Sequence, residues 1–485
     1  MPSSYAIASW IYLRTLGWCA VAAFGAMYTQ ALGLVGSAGL TPVAATMQRY
    51  AAECGGANWL RVPTVFWWSS GDAMVHAVFV TGIAAGVLLL LGLVPRVAAI
   101  VGFGVVLSIR STEPLGLRWF NWPFDDLLAE SLFVAIWLAP NVLWSRPHRP
   151  EAPRPWARWL VLWLLFRLIL GTGVTKLLSG GDWHSLTAIQ PFLLTQPFPT
   201  AFGAALHAGP AIVAQATCLY TMAWELLAPW FFFWRGRPAR IAGLAGVPLM
   251  VGIWATGSFR GFNHLTIAML LLTIDDATWR RWLPTRLMQR IAAPAPIPPG
   301  WPGRALAAAV LGLVAVASFE PLGLQAGGTY ESLPAPSVRA AVRPFHLAAN
   351  YWVFSTVATQ RLQLVVQGSD DGTTWRDYQP LALPAAVDQP FTRIAPGNDH
   401  LGFLMWLSAW GGPELAVGWE PRLLQGLLAG EPTIRALFRH DPFPDAPPRH
   451  VRVSRWLYAF ASPEERTRGI YWQRQLVDVH LAAQR

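Results

Sequence analysis

Lysine is nearly missing from this chain: of its 36 basic residues, only Lys176 is lysine and all the others are arginine. Charged residues of both signs fill just 13% of the 485 positions. A soluble globular domain carries about 25%, so that class is excluded. Three cysteines, Cys19, Cys54 and Cys218, are too few for a disulfide framework. All three are expected to be unpaired, and nothing reads as a metal site. No G-x-S-x-G, H-E-x-x-H, Walker loop or Rossmann fingerprint occurs, so no familiar reaction is announced.

What is present is apolar. Hydrophobic residues reach 54%, with 27 Trp and 24 Phe, and the mean hydropathy is +0.37. Such aromatic content fits the belts at both faces of a bilayer. Apolar runs occupy 9–34, 72–94, 97–110, 127–144, 158–178, 210–234, 240–257, 262–275 and 303–319. A helical span needs roughly 20 residues, and the third and eighth runs are short by that measure. Residues 72–110 read as a hairpin turned by Gly92 and Pro95. The first run is long and holds Arg14, which argues against a cleavable signal.

The net charge of +10 would suggest nucleic acid in a soluble protein. Here the arginines cluster between apolar runs, at 146–158, 235–240 and 280–304, whereas loop 179–209 has no Lys or Arg. The positive-inside rule then puts the N-terminus in the cytoplasm and everything after residue 320 outside, consistent with nine spans.

Near 320 the pattern changes. "RLQLVVQGSDDGTTWRDYQ" alternates around an Asp-Gly turn, a hairpin signature. Two further strand-like runs, 449–460 and 468–478, flank "SPEERTRG", and "HLGFLMWLSAW" and "RLLQGLLAGEPTIRALFRH" read as helices. The expected architecture is a polytopic α-helical membrane bundle over 1–320, then an extracytoplasmic α+β domain over 330–485. A Pro/Ala linker, 292–302, precedes the last span.

Polar groups inside spans are costly and face the bundle interior. Arg14, Arg167, Lys176, Glu225, Asn263 and His264 qualify, as do Asp125, Asp126 and Glu130 at the head of the fourth run. Each is read as interfacial snorkelling, a buried ion pair or a functional group. Lys176 sits at the outer end of the fifth run. Unlike arginine, lysine loses its proton when desolvated and can serve as a base. Arg167 is nine positions earlier, half a turn out of phase, so the two cations need different partners. Gly171 and Thr175 offer a small-residue face beside Lys176, and Asp182 is the nearest carboxylate in sequence.

These residues resemble the lipase maturation factor family along nearly the whole chain. "FRLILGTGVTKLLSGGDWHSLTAIQPFLLTQPFPT" (166–200) is similar to the family's Arg, Gly-rich helix end, Lys, Gly-Asp, Trp and "TQP-P" close. "FNHLTIAMLLLTIDD", "RLQLVVQGSDDGTTWRDY", "LMWLSAW", "LFRHDPFPDAPPRHVRV" and "GIYWQRQL" follow in family order. The chain departs from the family at Leu401, Gly402 and Phe403, where Leu-Asp-Trp is usual, and at His264, commonly apolar. The resemblance implies a membrane protein that assists folding and assembly of secreted lipases, with the outer domain facing the client. Trp406, Trp410 and Trp472 are candidate client contacts. The arginine-for-lysine bias suggests a GC-rich bacterial genome. The expected site is then the inner membrane with the outer domain in the periplasm, or the endoplasmic reticulum membrane in a eukaryote.

A more distant likeness covers about a dozen residues. "GVTKLLSGGDW" is similar to a segment of the membrane domain of vitamin K-dependent gamma-glutamyl carboxylase, in which the matching lysine is the proposed base. Where those relatives carry a His, "RWFNWPFDD" (118–126) offers Asp125 and Asp126. The alternative to a folding factor is therefore a membrane enzyme acting on a lipid or quinone. Lys176 would be its base, tuned by Asp125, Asp126 or Asp182, beside an apolar cavity between spans. The residues name no cofactor.

Overall fold

A 30-residue helix free of proline, Ala6–Val35 (α1), opens the chain and, at about 1.5 Å per residue, is about 45 Å long. Its first amides have no intrahelical partner, and Ala6 N and Ile7 N donate to the Asp276 carboxylate at 3.0 Å each. The fold comes from a computed structural model that describes residues 4–112, 123–146, 151–284, 300–329, 333, 335–410 and 419–484.

After α1 come α2 (Val43–Cys54), α3 (Asp72–Leu91), α4 (Pro95–Arg110), α5 (Pro123–Leu138), α6 (Pro155–Ser179), α7 (Ile189–Thr195) and α8 (Ala201–His207). The series continues with α9 (Ala211–Leu227), α10 (Arg237–Thr256), α11 (Phe262–Leu270) and α12 (Asp276–Trp282), and a long helix spans Trp301–Gln325. Among the described residues six helices are long and apolar enough to cross a membrane: α1, α3, α6, α9 with its extension to Phe231, α10 and Trp301–Gln325.

Of the about nine spans expected, six are thus long enough to cross by themselves among the described residues. The runs 97–110, 127–144 and 262–275 become shorter helices. α4 and α5 have 16 residues each, about 24 Å at 1.5 Å per residue against a hydrocarbon core of about 30 Å. The fourth run breaks because Pro140 cannot continue a helix that ends at Leu138. The expected hairpin 72–110 is present: Gly92 takes the left-handed φ of 77° and Pro95 starts α4. Arg14 is buried at that turn, donating to Leu89 O and Ser145 O at 2.9 Å each. It is a structural cation.

The C-terminal region contains a four-stranded antiparallel sheet ordered β2-β1-β5-β6. The strands are β1 (Arg361–Ser369), β2 (Arg376–Asp377), β5 (His450–Phe460) and β6 (Trp472–Gln484), with a separate pair, β3 (Gln379–Pro380) and β4 (Phe438–His440). The β1–β2 turn is built on Asp371, which accepts from Thr373 N at 2.8 Å, Thr374 N at 2.7 Å and Ser369 Oγ at 2.9 Å. Those bonds hold its carboxyl well below the usual carboxylate range. Between β5 and β6, Ser462 and Glu465 cap each other's backbone in a capping box. The stretch expected as one helix over 422–440 divides into Trp419–Ala429, a short turn of helix Pro432–Arg435, and β4. Gly430, at a φ of 73°, ends the first piece.

Buried hydrogen bonds join this region to the helices. Arg361 is fully buried and donates to Leu194 O at 3.0 Å, Gln196 O at 2.5 Å and Pro197 O at 3.0 Å. Gln30 of α1 donates to Asn398 O at 3.0 Å and accepts from His400 N at 2.9 Å. The sheet is thus fastened to the "TQP-P" loop between α7 and α8. Most of the expected linker 292–302, and the first half of "RWFNWPFDD" (118–122), lie outside the described residues.

Candidate functional site

Helix α6 starts with Pro155 at its first turn and ends at Gly180, whose φ is 66°. Proline is tolerated at a helix start, and glycine alone takes such a φ without strain. Between them, Arg167 and Lys176 project from opposite faces, as nine positions require. They find different carboxylates.

Arg167 pairs with Glu130 of α5, and both are buried. Glu130 also accepts from Ala349 N at 2.5 Å and Tyr351 Oη at 2.9 Å, while Arg167 donates to Ala349 O at 3.2 Å. This node holds α5, α6 and the entry to the C-terminal region together.

Lys176 points toward α9. Its Nζ donates to both carboxylate oxygens of Glu225, at 2.9 and 2.8 Å, and sits 5.1 Å from the Trp183 ring centroid, within cation–π range. Gly173 makes this approach possible, because a Cβ there would lie 2.9 Å from Glu225 Cβ and 3.1 Å from its carbonyl carbon. The other small residue expected at the packing face, Gly171, meets Gln325 instead.

The acidic head of α5 is spoken for in the same way. Asp125 bonds Arg260 at 2.5 Å, and Asp126 pairs with Arg110. Arg260 also lies 3.2 Å from His400 Nδ1. Asp182 is half-buried and accepts from Thr187 Oγ1 at 3.2 Å. Lys176 therefore hydrogen-bonds none of the three carboxylates expected to tune it. Its partner is Glu225, the only acidic residue in run 210–234.

Beside the pair lies a cavity of about 940 Å³, lined by α6, α7, α9, α10 and α11 and capped by Trp352–Thr356. Lys176 and Glu225 form part of its wall, and so do Asn263 and Arg260. His264, next in sequence, stacks edge-on between Trp18 and Trp254, with ring centroids 4.9 and 5.7 Å away. Among the described residues no group of three or more His, Cys, Asp or Glu is arranged to hold a metal ion.

The three tryptophans expected to meet a client are engaged within the molecule. Trp406 donates to Thr195 O at 2.8 Å, and Trp410 is half-buried against the core. Trp472 is only 1% exposed, donates to Gln389 O at 3.0 Å and packs under Arg361. It is a core residue, because β6 begins with that side chain turned inward. Where the family's Leu-Asp-Trp is replaced by Leu401, Gly402 and Phe403, the carboxylate present is Asp399. It caps the helix His400–Ser408 through Gly402 N at 2.8 Å and also accepts from Ala382 N at 2.8 Å.

Comparison with known proteins agrees along the chain. The model of the lipase maturation factor transmembrane domain matches residues 7–281, and that of the lipase maturation factor C-terminal domain matches 347–482. Lipase maturation factor 1 of Bos taurus is 27% identical over 96% of this chain and 86% of its own length. Lipase maturation factor 2 of Mus musculus is 26% identical over 94% of this chain and 80% of its own length. The Gallus gallus lipase maturation factor 2 reaches 31% identity, over 56% of this chain. No solved structure matches.

Proposed function

The chain belongs to the lipase maturation factor family, and on that premise we propose that it is an integral-membrane factor that brings exported lipases to their active fold. The observation that carries this reading is the order and coverage of the two family matches, one on the membrane helices and one on the sheet-bearing region. The buried joints at Glu130 and Arg361 support it as well. They hold the C-terminal region on the bundle, as a surface presented to a client at the membrane requires.

In this reading the three shorter helices α4, α5 and α11 complete nine membrane segments, shielded by longer neighbours. The N-terminus and the arginine-rich loops face the cytoplasm. Residues from about 330 onward lie outside, in the periplasm of a bacterium. Strand β6 is the surface best suited to a client. It is the outermost strand of its sheet and carries exposed Leu476, Val477 and Val479. An extended client segment adds to such an edge by main-chain hydrogen bonds.

The test is a lipase-exporting host in which this chain is deleted and then restored. The expected result is secreted lipase protein of low specific activity on deletion and full specific activity on restoration. Unchanged specific activity without the chain overturns the reading.

A further inference from the structure

The cavity beside Lys176 is more than a packing defect. Its volume, about 940 Å³, is near the top of the roughly 300–1,000 Å³ usual for small-molecule sites. Its walls are mostly aliphatic and aromatic: Leu168, Ile169, Phe192, Leu249, Met250 and Phe403 among them.

One side opens at the exposed faces of α8 and α9. Phe202 of α8 and Ile212, Val213 and Tyr220 of α9 line the cavity and are also exposed on the outside of the bundle. The other end is closed by Trp352–Thr356 and Asn398 of the C-terminal region.

The polar groups on the wall specify the occupant's charge. Lys176 is neutralised by Glu225, and Arg260 by Asp125. No net charge is left for an ionic head group, which would carry a large desolvation cost into this space. Two buried uncharged side chains on the wall make no hydrogen bond to a described residue. Asn263 is 3% exposed and its side-chain amide bonds no described residue, and the hydroxyl of Thr221, 4% exposed, is equally unpartnered. Buried polar groups are normally hydrogen-bonded, and here the cavity is what these two face. An amide and a hydroxyl together match an ester, which accepts from both, or an alcohol, which accepts from one and donates to the other.

We propose that this cavity binds an uncharged acyl lipid with a hydroxyl or ester head group, drawn from the bilayer between α8 and α9. The acyl chain fills the apolar part, and Asn263 and Thr221 hold the head. The site stands independently of any lipase client, so either proposal can fail without the other.

The test uses the full chain in nanodiscs and a 1-monooleoylglycerol carrying a diazirine in its chain. Labelled peptides are mapped by mass spectrometry, with unlabelled 1-monooleoylglycerol or oleate as competitor. Saturable labelling confined to α6, α9 and α11 is expected, with monooleoylglycerol competing about tenfold better than oleate. Asn263→Leu keeps the bulk but removes the amide. It is expected to weaken competition about two- to tenfold, in the range of one hydrogen bond. Ala216→Trp, which fills the mouth, is expected to cut labelling about tenfold. Non-saturable labelling spread over the outer faces of α3 and α10 overturns the proposal. So does better competition by oleate, or a folded Asn263→Leu that competes as the wild type does. The wild-type competition decides the matter even if both variants fail to fold.

Discussion

The only lysine of the chain, Lys176 of α6, places its Nζ 2.9 and 2.8 Å from the two carboxylate oxygens of Glu225 on α9. Both are buried, in helices long enough to cross a membrane. A bidentate pair in that setting is an interhelical fastener, since each partner alone is an uncompensated charge in a low-dielectric interior.

Removing one partner is therefore expected to cost far more than removing both. Lys176→Ala or Glu225→Ala is expected to destabilise by about 3–5 kcal/mol, the usual penalty for a stranded buried charge. The double variant recovers part of that loss. Thermal unfolding of the purified protein, arranged as a double-mutant cycle, measures the coupling. Additive single effects contradict a direct pair.

Gly173 sets how closely α6 and α9 approach. Gly173→Ala inserts a methyl group against the Glu225 backbone and side chain and is expected to destabilise by about 1–3 kcal/mol, the usual cost of overpacking. Gly25→Ala in α1 meets nothing within 4 Å and gains helix propensity of up to about 1 kcal/mol. The contrast between the two melting temperatures checks the packing.

Asp371 supplies a pH dependence in the sheet region. Backbone amides of Thr373 and Thr374 hold its carboxyl below the usual range, so its folded value lies below its unfolded value of about 3.9. Its contribution is fully present above about pH 3.9 and is lost as pH falls through the folded value. Asp371→Asn is expected to lower stability at neutral pH and to flatten the acid limb between about pH 4 and 2. Stability curves of both proteins over that range measure it.

Arg361 is irreplaceable by lysine at the joint between sheet and helices. Its guanidinium serves three loop carbonyls and also Gln363 Oε1 at 2.9 Å. A single ammonium cannot reproduce that fork. Arg361→Lys is expected to expose the β1–α7 junction to proteolysis and to speed amide exchange of β1, while α3 and α4 stay protected. Exchange mass spectrometry reads both regions in one experiment.

The client surface is testable at the sheet edge. Val477 and Val479 are exposed on β6, so Val477→Lys with Val479→Lys is expected to change stability by less than about 0.5 kcal/mol each. The same change is expected to abolish co-purification of a secreted lipase, because charges block strand addition at an edge. Undiminished co-purification removes β6 as the docking edge.

What the sequence made legible was periodic and local. The phase between Arg167 and Lys176, the hairpin at Gly92 and Pro95, and the Asp-Gly turn at residue 371 all follow from spacing or turn chemistry. What it hid was long-range or carried by backbone. Glu225 lies 49 positions from Lys176, and no spacing rule links them. The useful signal was scarcity, since Glu225 is the lone acid of its run. Asp276 caps α1 from 270 positions away. The cage around Arg361 is made of carbonyls that every residue possesses. Trp472 read as a surface aromatic because an inward and an outward tryptophan look alike until the strand register is known. The apolar cavity expected beside Lys176 is present, but the residues that line it were not legible, because such side chains also fill a core.

Whether Lys176 acts as a fastener or as a reactive base is decided most directly by one measurement. A Lys176→Met, Glu225→Leu double variant keeps the volume and neutrality of the pair but has no amine to titrate. The specific activity of a secreted lipase is then measured in a host whose only copy is this variant, with melting temperature confirming the fold. Active lipase close to the wild-type level is expected of a fastener. A stably folded double variant that yields secreted but inactive lipase would contradict it.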